Sequence, residues 1–129
     1  MAQYPGDLLY TKDHEWARVD GDRARIGVTA YAVEQLGDIT LVELPPVGED
    51  VQAQERCGDI ESVKTVSELF APVSGEVLEV NQDLEDSPEL INEAPYQTGW
   101  LMVVRVSDPD ELSSLMDAAA YEEYLGTLE

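Results

Sequence analysis

Apolar and polar positions alternate in short runs along most of this chain. At 23–28, Ala24, Ile26 and Val28 alternate with Arg23, Arg25 and Gly27, the period of a strand with one buried face. Residues 16–19 precede it, and the Asp20-Gly21 pair between them is a strong hairpin signal. Residues 8–10 make a possible earlier strand, followed by a polar turn at 11–15. Thr29 is placed to cap a short helix at 30–36, and Gly37 to close it. A strand at 39–44 ends at Pro45-Pro46-Val47-Gly48. Residues 51–56 carry Val51 and Ala53 inward, 57–72 reads as strand, tight turn and strand, and 75–80 is a further strand. Residues 81–99 are irregular, with one helical turn capped by Ser87 and opened by Pro88. The nearly unbroken apolar run at 100–106 predicts a buried central strand. Asp108-Pro109-Asp110-Glu111 reads as a capping box ahead of a face formed by Leu112, Leu115 and Met116. Asp117 then caps a second helix with Tyr121, Tyr124 and Leu125 turned to the core. Many short strands, glycine and proline turns and a helical end predict a mainly antiparallel β domain.

A repeat lies within that pattern. Leu44-Pro45-Pro46-Val47-Gly48-Glu49-Asp50-Val51 matches Phe70-Ala71-Pro72-Val73-Ser74-Gly75-Glu76-Val77, with Ser74 as the one insertion. A duplicated strand unit folding about a pseudo-twofold axis places the hairpin joining its halves at one end of the sheet. Lys64 is at the tip of that hairpin. It is one of two lysines, with Lys12, in a chain of 28 acidic side chains.

Glu61-Ser62-Val63-Lys64-Thr65 resembles the attachment hairpin of a lipoyl domain. Further segments widen the resemblance. They are Tyr10-x-x-x-His14-Glu15-Trp16, Ile26-Gly27-Val28-Thr29, Leu36-Gly37-Asp38-Ile39, Val42-Glu43-Leu44-Pro45, Ser74-Gly75-Glu76-Val77, Pro88-Glu89-Leu90-Ile91-Asn92 and Pro95-Tyr96-x-x-Gly99-Trp100. In this order they resemble the H proteins of the glycine cleavage system, from about Leu9 to about Tyr124. The resemblance implies a barrel-sandwich hybrid, a flattened barrel of two β-sheets, with helices added at its ends. It implies one carrier domain over 1–129, with a polar leader at 1–7 and a helical extension at 107–129.

The family's chemistry is implied in the same way. Lipoate is joined to Lys64 as an amide. Biotin is the rival cofactor on this fold, but its hairpins resemble Met-Lys-Met, whereas this one reads Val63-Lys64-Thr65. Glu61, Ser62, Val63 and Thr65 shape the hairpin that a lipoate-attaching enzyme reads, and Gly48 and Gly75 make the turns that present it. The lysine stem and cofactor together reach beyond ~10 Å, so the reactive end travels between distant active sites. The implied partners are glycine decarboxylase, aminomethyltransferase and dihydrolipoamide dehydrogenase, among which the arm carries the aminomethyl group of glycine and reducing equivalents. A cleft for the loaded arm is carried over to Glu15, Val28, Leu36 and Glu68, with Glu15 as the carboxylate that holds the cationic amine. A related lipoyl protein, relaying lipoate to other complexes or serving redox defence, would carry the same hairpin; gene neighbours or a glycine cleavage assay separate the two.

Composition narrows the classes. A chain of 129 residues, 43% hydrophobic, is long enough for one domain with a real core. No apolar run approaches the ~18 residues of a membrane span. The net charge of −21 disfavours nucleic acid and anionic membranes as partners, and it favours basic patches on partner proteins. The charge serves equally as a device of solubility or an adaptation to salt. The N-terminus has the character of neither a signal nor a transit peptide. Met1 and the single cysteine, Cys57, lead us to expect a bacterial cytoplasmic protein in a reducing compartment; a eukaryotic relative in mature form would sit in the mitochondrial matrix. A monomer is expected. One histidine and one cysteine, far apart in sequence, fit no metal pattern, and there is no phosphate loop or nucleophile elbow. The expected protein is a carrier that catalyses nothing by itself.

Overall fold

The computed structural model describes residues 4–128. Among these described residues, nine strands form two antiparallel sheets. The larger takes β1 (Leu9–Tyr10), β2 (Glu15–Asp20), β3 (Arg23–Val28), β9 (Met102–Val106), β8 (Gly75–Val80) and β5 (Asp50–Val51), in the spatial order β1-β2-β3-β9-β8-β5. The smaller holds β4 (Ile39–Glu43), β6 (Arg56–Ser62) and β7 (Val66–Phe70), with β6 central. Inward residues of both sheets, among them Ala17, Ile26, Val77 and Val104 from one and Ile60 and Leu69 from the other, form one apolar cluster. This is the two-sheet barrel-sandwich arrangement, left unclosed.

The predicted helix is α1 (Ala30–Leu36). Thr29 Oγ1 accepts the Ala32 N–H, and Gly37, at φ 79°, closes the far end. The β2–β3 hairpin turns on Gly21 and Asp22, because Asp20 pairs with Arg23. Gly21 takes φ 64° at the first loop position, where glycine is the residue that fits. The two copies of the repeat lie against each other, as a pseudo-twofold requires. Asp50 pairs antiparallel with Glu76 and Val51 with Gly75, and the Gly48 N–H donates to Val77 O at 2.8 Å.

Other expectations are corrected. Residues 51–56, expected to carry Val51 and Ala53 inward, bury Val51 and only half-bury Ala53: the chain breaks after β5, Gln54 adopts φ 70°, and β6 joins the other sheet. The run at 100–106 is central but buried on one face only. Met102 and Val104 point inward while Arg105 is exposed, because no layer covers that part of the outer face. The 81–99 segment holds two helical turns, α2 (Asp83–Asp86) and α3 (Leu90–Glu93); Ser87 ends the first rather than capping the second. The capping box is half made. Asp108 accepts from the Asp110 N–H, opening a 3-10 turn over Pro109–Ser114. Glu111, however, turns away to accept from Ser74 N–H at 2.7 Å and Ser74 Oγ at 2.8 Å.

The C-terminal helix α4 (Ala118–Gly126), capped by Asp117, builds a second core on the outer face of the larger sheet. Leu8, Tyr10, Trp16 and Tyr121 are its buried centre. The Tyr10 and Tyr121 rings stack at 4.7 Å. Tyr4 meets both edge-on, at 6.1 and 5.1 Å, and Tyr10 OH donates to Pro5 O at 2.6 Å. The expected polar leader is therefore packed at residues 4 and 5; its first three residues lie outside the described ones.

Candidate functional site

Lys64 stands in the turn between β6 and β7, and Val63, Lys64 and Thr65 are all exposed. Ser62 ties the tip. Its Oγ accepts the N–H groups of Lys64 at 3.2 Å and Thr65 at 3.1 Å, and donates to Thr65 O at 3.2 Å. The Ser62 N–H also donates to Thr65 O at 2.8 Å. Such hydroxyl-to-backbone bonds hold a turn without glycine, and no tip residue has a positive φ. Glu61 is the last strand position paired across the hairpin, to Val66, and it also pairs with Leu41 on β4.

The tip is braced by Asp38, Gly37 and Asn92. The Val63 N–H donates to Asp38 O at 3.1 Å. A Cβ at Gly37 would lie 3.1 Å from Lys64 Cε, so the lysine stem runs over this glycine. Asn92 on α3 grips the same segment from below. Its Nδ2 donates to Gly37 O at 2.7 Å, and its Oδ1 accepts the Ile39 N–H at 2.9 Å. The Pro88–Asn92 segment was visible as a family match, but nothing in it signalled where Asn92 would reach.

The four expected cleft residues do not form an open groove. Glu15 and Val28 face each other across β2 and β3. Glu15 is 2% exposed, Val28 4% and Leu36 7%. Glu15 points between the sheets: Oε1 accepts from Thr11 Oγ1 at 2.8 Å and Oε2 from the Phe70 N–H at 3.3 Å. Burial outweighs both bonds and pushes its pKa up to about 8. The side chain therefore carries a proton at neutral pH and is no ready-made carboxylate. The 11–15 turn, expected to be a polar one, is buried at Thr11 and Glu15. Glu68 is elsewhere. Its side chain is 60% exposed and lies 3.8 Å from Arg56 Nε, on the solvent side of β7.

His14, beside Glu15, is structural. Its backbone takes φ 70°, uncommon for a residue with a side chain. Its Nδ1 bonds Tyr121 OH at 2.8 Å, which also bonds Thr29 Oγ1 at 2.7 Å. Trp16 anchors the next position, donating from Nε1 to Val28 O at 3.0 Å and Pro95 O at 3.1 Å. The two turn glycines differ. Gly48 is a turn at φ 95°. Gly75 is a strand residue whose Cβ would strike the Arg105 carbonyl, and both belong to the β5–β8 pairing rather than to the tip. Cys57 is half-buried, and burial pushes its thiol up to about 12, so it behaves as a small hydrophobe.

Two facing antiparallel sheets, with an ordinary tight turn presenting a lysine from the smaller one, define a barrel-sandwich domain of the lipoyl type. Comparison with known proteins sharpens that class. The family model for the glycine cleavage H-protein matches residues 8–127. The glycine cleavage system H protein of Bacillus subtilis is 56% identical over 119 residues, 92% of this chain and 94% of that protein. That of Bacillus licheniformis is 53% identical over 121 residues, 94% of this chain and 95% of its own. The crystal structure of a glycine cleavage system H protein from Mycobacterium marinum superposes with a TM-score of 0.88 at 45% identity, covering 95% of this chain and 99% of that one. The chain belongs to the glycine cleavage H-protein family, and the role of lipoyl carrier follows from that membership.

Proposed function

We propose that lipoate is attached as an amide to Lys64, and that this chain is a non-catalytic shuttle. It serves glycine decarboxylase, aminomethyltransferase and dihydrolipoamide dehydrogenase, after loading by a lipoate-attaching enzyme. The observation that carries the reading is the tip itself: an exposed primary amine on a turn tied by Ser62 and braced through Asp38, Gly37 and Asn92. When bound, lipoate supplies a dithiolane able to take up a one-carbon amine unit and reducing equivalents. The protein's part is to hold the tip rigid, so that an enzyme reading Glu61, Ser62, Val63 and Thr65 meets one conformation. Residues 1–129 then act as one carrier domain in the cytoplasm, with 107–129 as its helical extension. The other lysine, Lys12, lies in the loop between the paired strands β1 and β2, with its ammonium 5.8 Å from the Tyr124 ring centre, and lacks the Glu-Ser-Val-Lys-Thr sequence of the Lys64 tip. Intact mass and peptide mapping of protein from a lipoate-supplied host should place the modification on Lys64 alone. Lipoate on Lys12, or glycine cleavage sustained by a Lys64→Arg protein, overturns the assignment.

The carried amine is cationic near neutral pH, and Glu15 is the carboxyl proposed to hold it, with Val28 and Leu36 excluding water. Glu15 must give up its proton to do so, and the covering residues must part. A charge-assisted bond of this kind contributes ~1.5–3 kcal/mol. Glu68, exposed beside Arg56, belongs instead to the outer surface of the hairpin. The lifetime of the loaded carrier, with the other enzymes absent, should shorten in a Glu15→Gln protein; an unchanged lifetime removes Glu15 from the site.

A further inference from the structure

Positive charge is scarce in this chain and gathered on one face. Seven Lys and Arg stand against 28 Asp and Glu. Four of them, Arg18, Arg23, Arg25 and Arg105, lie on the adjacent strands β2, β3 and β9. Register sets Arg18 directly opposite Arg25 and Arg23 directly opposite Arg105. Ala24 and Ile26, the alternate residues of β3, are buried, so these arginines share the outer face of the larger sheet. Like charges directly opposite destabilise a strand pair; the placement works against the fold.

The compensation is incomplete. Arg105 meets Glu76 at 3.5 Å and Asp22 at 3.9 Å, and Arg18 meets Asp7 at 3.5 Å. Arg23 and Arg25 form no ion pair among the described residues. Arg25 lies instead over the Trp100 ring, 5.0 Å from its centre. Arg18, Arg23 and Arg25 line a groove floored by Leu78 and Val103, with Asp20 and Glu79 also on its wall. The α4 core covers the other end of this outer face, through Trp16 and Tyr10; the arginine end is left bare.

The geometry points to this groove as a docking face for an acidic segment of a partner enzyme, separate from the Lys64 hairpin. The inference rests on the carrier reading above. Arginine takes carboxylates through two parallel bonds, and among the described residues this is the only cluster of arginines, in a chain of net charge −21. A short carboxylate-bearing segment fits within the groove, whereas a long polyanion would run on over the acidic surface beyond it and be repelled. Lys64 is presented by the other sheet, so a partner seated here leaves the tip uncovered.

The test uses the full lipoylated chain. In an Arg23→Gln/Arg25→Gln double variant, the KM for the carrier should rise about tenfold with at least one of the three enzymes at low salt, with kcat unchanged, and the gap should close as salt rises. The unfolding midpoint of Arg23→Gln alone should not fall, since it relieves the repulsion from Arg105; a purely structural arginine would lower it. A second measurement does not depend on the glycine cleavage reading: a polyglutamate peptide added to nitrogen-15-labelled chain should shift the Nε signals of Arg23 and Arg25. If the parent fails to serve any enzyme but the peptide still binds there, the carrier reading fails and the acidic-segment site stands. KM values unchanged with all three enzymes overturn the docking face. So does displacement of the peptide by inorganic phosphate at equal charge, which marks a small-anion site, or tighter binding of a single-stranded oligonucleotide.

Discussion

Glu15 sets the pH behaviour of this carrier at the scale of one residue. Its pKa rises from the ordinary 4.5 to about 8 because burial disfavours the charged form more than Thr11 and Phe70 favour it. Between those two values the unfolded chain has lost this proton and the folded chain has kept it. The group therefore withdraws stability as pH climbs from about 4.5 to about 8, and its contribution levels off above that. Glu15→Gln keeps an acceptor for the Phe70 N–H without an ionisable proton. Its stability relative to the parent should rise across that window and then stay flat, by an amount on the order of several kcal/mol at ~1.36 kcal/mol per pKa unit. Urea unfolding at a series of pH values checks it, and a parallel pair of curves removes Glu15 as the titrating group. Gly37 is the second decisive residue. At φ 79° and ψ −149° it sits where residues with a side chain are strained by ~1–3 kcal/mol. Gly37→Ala should lose about that much stability and push the Lys64 stem aside, slowing lipoate attachment; equal attachment rates would show that the stem's path over Gly37 is immaterial.

At the scale of elements, two helices far along the chain hold the site's parts in place. Asn92 on α3 binds both sides of the segment under Lys64. Tyr121 on α4 joins His14 to Thr29, fixing the positive-φ turn before Glu15 and the cap of α1 together. Tyr121→Phe keeps the stacked ring and removes only the hydroxyl, leaving two polar groups short of a partner. It should cost ~1–3 kcal/mol, with the near-ultraviolet signal of the aromatic core retained. A variant as stable as the parent would mean that water replaces the hydroxyl at no cost.

At the scale of the whole molecule, charge dominates. A net charge of −21 makes the folded state repel itself, and salt screens that repulsion over a Debye length of ~10 Å at 0.1 M. The unfolding midpoint should therefore rise with sodium chloride while docking to the decarboxylase weakens, since steering is screened by the same ions. A docking rate flat in salt would leave the charge a solubility device only. Among the described residues no helix is long and apolar enough to cross a membrane, and no group of His, Cys, Asp and Glu is arranged to hold a metal ion.

Strand periods, the Thr29 and Asp117 caps, the Gly37 stop and the lysine tip were legible in the chain because each depends on residues a few positions apart, and the internal repeat because two segments can be compared letter by letter. The family, too, was legible from its ordered segments. What only tertiary structure decided depends on residues brought together from far apart. Residues 100–106 look buried on both faces by composition, yet Arg105 is exposed because α4 covers only the other end of the sheet. The 11–15 turn reads as polar, yet Glu15 is enclosed by Phe70, 55 positions away. A carboxyl's charge state follows from what surrounds it, and sequence does not state the surroundings. Gly48 and Gly75 look alike in the repeat, but one bends the chain and the other makes room for a neighbouring carbonyl. Glu68 was placed by analogy in the cleft, and strand alternation carried it to the solvent side. The arginines appear in the chain as isolated charges, and register across β2, β3 and β9 makes them a face.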